Sequence, residues 1–326
     1  MVTKTVFGKT AQGADVFAYR IADEHGIAVT VLNYGATLQS VVIPHHGKRT
    51  DVLLGYDTVA EYEQNDGFVG ASIGRYAGRI PDAIAKIGAE AFPVTANEGK
   101  NQLHGGLIGF DKRIWDAETY DDSVTFSLYA QDGEEGFPGI LRCQAVYTLS
   151  GNVLSLTYRG ISDRETAWNP TNHGYWNLDG HDAGDARTHR LEIPADRYVP
   201  VGPDLIPTGE PSDSTGTRFD FRTMREIGGE YDHCFLLSGA PIRLFGTRGI
   251  GLEIETDCKA VQFYTARYLS ERRGKGGVIY RPFGAVCLET EGPQAQRDLP
   301  IPSESILRPG CVQTHTTHFR FIVQED

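Results

Sequence analysis

Residues 27–43 read Ile-Ala-Val-Thr-Val-Leu-Asn-Tyr-Gly-Ala-Thr-Leu-Gln-Ser-Val-Val-Ile, two short apolar runs rich in β-branched residues on either side of a glycine turn. Ile27–Leu32 and Leu38–Ile43 have the length of strands, and Asn33-Tyr34-Gly35 between them carries residue types that reverse a chain. Further along, Val124-Thr-Phe-Ser-Leu-Tyr129 alternates apolar and polar residues cleanly, and Val153–Tyr158 and His318–Val323 do so more loosely. A period of two is that of a strand with one buried face. Punctuating segments such as Gln131-Asp-Gly-Glu-Glu-Gly136 and Ser150-Gly-Asn152 lie between them. Apolar residues at helical spacing are scarce, and only Thr58–Gln64 and Phe221–Ile227 have room for a short helix. With 38 glycines and 16 prolines spread through 326 residues, the pattern predicts an all-β fold of many short strands rather than βαβ units. No repeat or linker-like shift interrupts it, so a single domain over residues 1–326 is expected.

The chain carries 31 basic and 43 acidic residues, a formal charge of −12. An excess of acid argues against nucleic acid as a partner, since phosphate backbones are bound by surplus Lys and Arg. A 40% hydrophobic composition is enough for a packed core. The opening MVTKTVFGKTAQGADVF has no apolar signal-like segment, and no stretch approaches the roughly 18 apolar residues of a membrane span. The expectation is a cytoplasmic protein with no membrane partner. Its five cysteines (Cys143, Cys234, Cys258, Cys287, Cys311) are odd in number and form no C-x-x-C pair, which points to reduced, mostly buried thiols rather than a zinc cage or redox dithiol.

Two motifs invite functional readings that their context does not support. Gly70-Ala-Ser-Ile-Gly74 matches the nucleophile elbow of α/β-hydrolases with Ser72 as nucleophile, but that elbow needs a helix after it. Here Gly78 and Pro81 interrupt the continuation. His315 and His318 are three apart on an expected strand and so face opposite ways, while His45-His46 reads as an exposed loop pair. No metal ligand set emerges from either.

Four segments are richer. Asn101-Gln-Leu-His-Gly-Gly106 presents His104 on a glycine-hinged turn, and His173 sits within Asn169-Pro-Thr-Asn-His-Gly-Tyr-Trp-Asn-Leu178. Tyr231-Asp-His-Cys-Phe235 places Asp232 among aromatic and apolar residues, and Glu289 closes the apolar run of Ala285-Val-Cys-Leu-Glu-Thr-Glu-Gly-Pro293. Taken singly, each has an ordinary structural explanation: a hydrogen-bonded histidine, a turn cap, a strand end. Together their aromatic and amide company is what sugar sites use, flat rings against C–H faces and carboxylates or amides on hydroxyls.

At these segments the chain resembles the galactose mutarotase (aldose 1-epimerase) family. The matches run nearly end to end: Asn33–Leu38, Asp51–Tyr56, Gly70–Arg75, Asn101–Gly106, Asp132–Gly139, the Asn-His-Gly-Tyr-Trp-Asn-Leu stretch from Asn172, Asp232-His233, Gln262–Thr265 and Leu288–Thr290. The resemblance implies a large antiparallel β-supersandwich with a monosaccharide site in a cleft, and an isomerase that needs neither metal nor nucleotide. Carried over position by position, it implies Glu289 as general base and His173 as general acid. His104 would lie beside the sugar ring, and Arg79, Asp232 and Gln262 would hold hydroxyls. Three places depart from the family's usual pattern and bear on specificity. Gly78 stands where Asn is common, Glu291 where Gln is often found, and the Ala266–Lys275 continuation replaces a short glycine turn.

Two other functions share this fold. A hexose-6-phosphate epimerase would need a cationic clamp, for which Arg267, Arg272, Arg273, Lys275 and Arg281 are the candidates, although a solvated hairpin tip explains them more simply. A non-catalytic sugar-binding or regulatory domain would keep the cleft and lose the acid–base pair, yet Glu289 and His173 are both present.

Overall fold

The computed structural model describes residues 1–64 and 66–324. Three antiparallel sheets dominate it. The first is a five-stranded meander in chain order, Val2–Lys9, Asp15–Ala22, Ala28–Leu32, Thr37–His45 and Lys48–Asp51. The reversal at Asn33–Gly35 falls where the sequence places it, with a register shift between Thr30 and Val31 in the pair that follows.

A nine-stranded sheet runs Asp116–Thr119, Ser123–Ala130, Leu141–Ser150 and Val153–Ser162, and continues across the C-terminal strand Gln313–Val323. Ile250–Thr256, Ile242–Phe245, Arg190–Glu192 and Arg225–Glu226 complete it. A six-stranded sheet has the order Tyr175–Trp176, Val286–Glu291, Ala260–Tyr264, Asp232–Leu236, Arg197–Tyr198 and Ser212–Asp213. The all-β supersandwich expected from the sequence is the architecture observed.

Local chemistry accounts for two of the smaller features. Thr58–Gln64 forms a single helix, Val59–Glu63, closed by a capping box in which the Glu61 backbone N–H donates to Thr58 and Thr58 N–H donates to Glu61. Phe221–Ile227 forms no helix: Phe221 is drawn into the core against Tyr231 and Phe263, and Arg225–Glu226 pairs as a strand. Aromatic burial overrides weak local propensity there. His45 also differs from expectation, since it ends the Thr37–His45 strand as a buried residue while His46 opens the exposed turn. Among the described residues no helix is long and apolar enough to cross a membrane.

One apolar cluster joins the sheets. Val261, Phe263, Val286 and Leu288 of the six-stranded sheet share it with Phe126, Tyr147, Leu156, Leu252, Phe319 and Phe321 of the nine-stranded sheet, and with Val29, Val31 and Val41 of the meander. Because side chains alternate along a strand, every residue given to this core sends its neighbours to the opposite face. That face of the six-stranded sheet holds the polar groups described below.

The two faces should respond unequally to substitution. Leu288→Ala is expected to destabilise the fold by about 2–5 kcal/mol, read as a lower urea midpoint at unchanged m-value. Glu289→Gln, one residue along, is expected to shift the midpoint far less, because it exchanges one buried polar group for another of the same shape on the cleft face. Equal losses for both would contradict the face assignment.

Candidate active site

On strand Val286–Glu291, Val286 and Leu288 go to the core, so Cys287, Glu289 and Glu291 go to the other face. The neighbouring strand repeats the pattern: Val261 and Phe263 inward, Gln262 and Tyr264 outward. Register sets Gln262 directly opposite Glu289, and Asp232 opposite Tyr264 on the third strand. Three carboxyl side chains and one amide thereby share one sheet face, and all line a cleft of about 610 Å³, a size typical of small-molecule sites.

Loops roof this face and deliver the imidazoles. Gln102-Leu103 pairs with Arg79-Ile80, and the chain then turns through His104, Gly105 and Gly106 at positive φ. Gly105 has to be glycine, since a Cβ there would lie 1.9 Å from the Gly74 carbonyl oxygen. Asn97 ties the turn by donating to the Leu103 and Gly106 carbonyls and accepting from Leu103 N–H. His104 Nδ1 accepts from Gly78 N–H at 3.2 Å, so the ring proton of neutral His104 is on Nε2.

His173 follows the Thr171–Asn172 strand and is held by backbone bonds to Ala71 and Gly70. Its ring lies between Tyr175, 5.0 Å away and nearly parallel, and Phe68, 6.1 Å away. Its Nε2 stands 3.7 Å from Glu289 Oε1, with both side chains at most 5% exposed. His104 completes the group, its ring centroid 5.4 Å from that of His173.

The remaining polar groups are tied to one another. Arg79 makes a bidentate pair with Glu98, at 2.7 Å for each bond. Gln262 Nε2 donates to Asp232 Oδ1 at 2.6 Å. The cleft therefore collects all six residues singled out from the sequence, Glu289, His173, His104, Arg79, Asp232 and Gln262.

Burial sets the protonation states. It pushes the Glu289 carboxyl well above the usual range, with the nearby Glu291 and Asp232 carboxyls adding to the rise and Arg79 opposing it. The same desolvation lowers His173 to about 4 and holds His104 well below 6.5. Burial thus disfavours charge on both members of the facing pair, favouring a protonated carboxyl and a neutral imidazole. Glu289 Oε2 and His173 Nδ1 have no hydrogen-bond partner among the described residues.

Other candidates fare differently. The ligand atoms of His104, His173 and Glu289 lie close enough for a metal, but His104 Nε2 carries a proton that cannot leave while Nδ1 keeps its bond from Gly78. The donor set does not fit a metal ion. Ser72 is fully buried, donates to the Ala36 carbonyl and accepts from Tyr158, and the strand it starts is only two residues long. It is a structural hydroxyl.

The basic stretch is largely internally paired. Arg267 bonds Glu230, Arg272 pairs with Asp66, and Arg281 bonds Glu271. Lys275 is buried against Asp51 and the Gln39 carbonyl, so the stretch is not simply a solvated hairpin tip as the sequence implied. Arg273 pairs in a short hairpin with Ile279.

Sequence reasoning missed Glu98, the partner of Arg79, and the aromatic walls Phe68, Tyr175 and Tyr264. It also missed Gln294, whose amide joins Glu291 to Gln262. Tyr175 and Tyr264 lie within segments that were singled out, though not for these residues, whereas Glu98 and Gln294 give no local signal.

Comparison with known proteins follows the same lines. A family model described as Aldose 1-epimerase matches residues 18–320. The chain is 36% identical to galactose mutarotase of Homo sapiens, covering 99% of both sequences. It is also 36% identical to aldose 1-epimerase of Escherichia coli strain K12, covering 92% of this chain and 93% of the relative. Among solved structures, galactose 1-epimerase from Lactobacillus acidophilus NCFM superposes with a TM-score of 0.87 at 28% identity, covering 100% of this chain and 99% of that one.

The protonation argument can be read by titrating the imidazoles by NMR. His173 is expected to stay neutral from pH 8 down to about 4, well below the ~6.5 of an unperturbed imidazole. A midpoint for His173 near that ordinary value would mean the pair is not desolvated as described.

Proposed function

The chain belongs to the aldose 1-epimerase family, and on that footing we propose that it interconverts the α and β anomers of a free aldose by opening and reclosing the sugar ring, with Glu289 as base and His173 as acid. The observation that carries this assignment is the enclosed pair itself, carboxyl and imidazole 3.7 Å apart at one end of a sugar-sized cleft.

Ring opening removes the proton from the C1 hydroxyl while another is delivered to the ring oxygen. Rotation about the C1–C2 bond then turns the aldehyde over, and closure from its other face reverses both transfers. One base and one acid on either side of the C1–O5 bond suffice, provided that the pair holds one proton in total. Burial favours that proton on Glu289; moving it to His173 gives the carboxylate and imidazolium that the reaction uses, without uptake from solvent. Enclosure from water keeps the cycle from leaking protons. His104 offers its Nε2–H beside the ring, and Arg79, Asp232 and Gln262 are assigned to the hydroxyls.

The lining argues for a neutral sugar. Asp66, Glu98, Asp204, Asp232, Glu289 and Glu291 border the cleft, whereas its two cations, Arg79 and Lys100, are already paired with Glu98 and Asp82. A hexose 6-phosphate would meet excess acid and no unpaired clamp among these residues. The meander at the N-terminus and the C-terminal strand share one core, which supports a single working domain over 1–326. The five free cysteines suit the cytoplasmic compartment that we assign to it.

Polarimetry on freshly dissolved α-anomers of galactose, glucose, xylose and arabinose tests the activity. Acceleration above the spontaneous rate is expected, falling by about 10²–10⁴-fold in Glu289→Gln and in His173→Ala. Glucose 6-phosphate should be a far poorer substrate. No acceleration with any free aldose would refute the reading, and full activity in either variant would refute the roles.

A further inference from the structure

The catalytic pair leaves one buried carboxyl of the cleft without a part in the chemistry. Glu291 lies two residues beyond Glu289 on the same strand face and is 1% exposed. Its Oε1 accepts from Gln294 Nε2 at 2.9 Å, and its Oε2 has no partner among the described residues. No cation pairs with it among the described salt bridges, and burial pushes it up to about 8. Toward Gln294 it works as a hydrogen-bond acceptor.

What it accepts from is informative. Gln294 Nε2 donates a second bond, to Gln262 Oε1 at 3.1 Å. A flip of this amide would set its oxygen against Gln262 Oε1, and a matching flip of Gln262 would set that residue's oxygen against Asp232 Oδ1. Gln262 must then face Gln294 with its oxygen and Asp232 with its nitrogen, as observed at 2.6 Å. The four side chains form a directed line: Asp232 accepts from Gln262, Gln262 from Gln294, and the Gln294 nitrogen is anchored by Glu291.

Gly78 gives this line its room. Its φ is +81°, and a Cβ there would lie 3.0–3.3 Å from three atoms of the Gln294 side chain. The same residue's N–H fixes the His104 tautomer. Two positions that look unrelated in sequence, Gly78 and Glu291, therefore meet on one amide.

We propose that Glu291 is a positioning residue that, by anchoring Gln294, fixes the amide of Gln262 and through it the Asp232 carboxylate in the sugar site. The inference rests on the epimerase reading for its functional consequence, though not for the bonds themselves. It assigns Glu291 to substrate binding rather than to proton transfer. Loss of the anchor should accordingly act on KM, and it is isolated in Gln294→Leu, which leaves the Glu291 carboxyl beside Glu289.

The test compares Glu291→Leu, Glu291→Gln, Gln294→Leu and the Glu291→Leu/Gln294→Leu double variant by polarimetry, using the free aldose that the wild type turns over fastest. Glu291→Leu and Gln294→Leu should each raise KM by about five- to tenfold, the worth of roughly one hydrogen bond, and kcat should stay within threefold in Gln294→Leu. Glu291→Gln keeps a neutral acceptor of the same shape and should restore KM. The double variant should be no worse than Gln294→Leu alone, since both break one line. An unchanged KM, a Glu291→Gln as impaired as Glu291→Leu, or additive losses would overturn the proposal. If Glu291→Leu does not fold, Gln294→Leu and Glu291→Gln still decide the matter.

A second readout does not depend on turnover. The side-chain amide resonance of Gln262, identified by its loss in Gln262→Leu, should move in Glu291→Leu and return in Glu291→Gln. A wild type inactive on every free aldose would sink the epimerase reading while this signal still decided the relay, and an unmoved signal would overturn the relay whatever the activity.

Discussion

The antiparallel register between Ala260–Tyr264 and Val286–Glu291 is the constraint on which the rest depends. It commits Val261, Phe263, Val286 and Leu288 to the core, and that commitment leaves Gln262, Glu289 and Glu291 no place but the opposite face. A slip of one residue would bury the carboxyls in the apolar cluster and expose the core residues. The hydrophobic effect on one side of a sheet thus fixes the positions of polar groups on the other.

Those polar groups are costly to hold. Glu289 and Glu291 are both buried, and desolvation is the first cause of the upward shift in each. Burial of this kind disfavours charge on carboxyls and imidazoles alike. The same burial would be ruinous without the large shared core beneath it, because one or two kilocalories are a large share of a domain's stability. The roofing loops contribute little to that core. Their shape comes instead from backbone hydrogen bonds, from Asn97, and from glycines such as Gly105 that no other residue can replace.

Much of this was legible in advance. Alternation in Val124–Tyr129 gave its strand, the Asn33–Gly35 turn gave its hairpin, and Thr58–Gln64 gave its short capped helix. Phe221–Ile227 was misread because its local pattern competes with a cluster of aromatic rings supplied by distant strands. His45 was misread because nothing local shows that its strand runs on to bury it. The six candidate residues came from resemblance spread along the chain, and the fold brings them to one cleft. Glu98 and Gln294 were not found, since a partner is defined by the contact it makes.

By itself the sequence determined the fold class, through strand periodicity and turn residues, and the kinds of chemistry available, through its histidines, carboxyls and amides. Only the tertiary structure decided which of those groups face one another, which cations are already paired, and which amide holds which. The reason is physical: periodicity is a property of neighbours along the chain, whereas protonation and hydrogen-bond direction depend on burial and on groups that approach from far away in sequence. Gln262 and Gln294 are 32 positions apart, and Gly78 lies far from both, yet the three are set against one another in the folded protein.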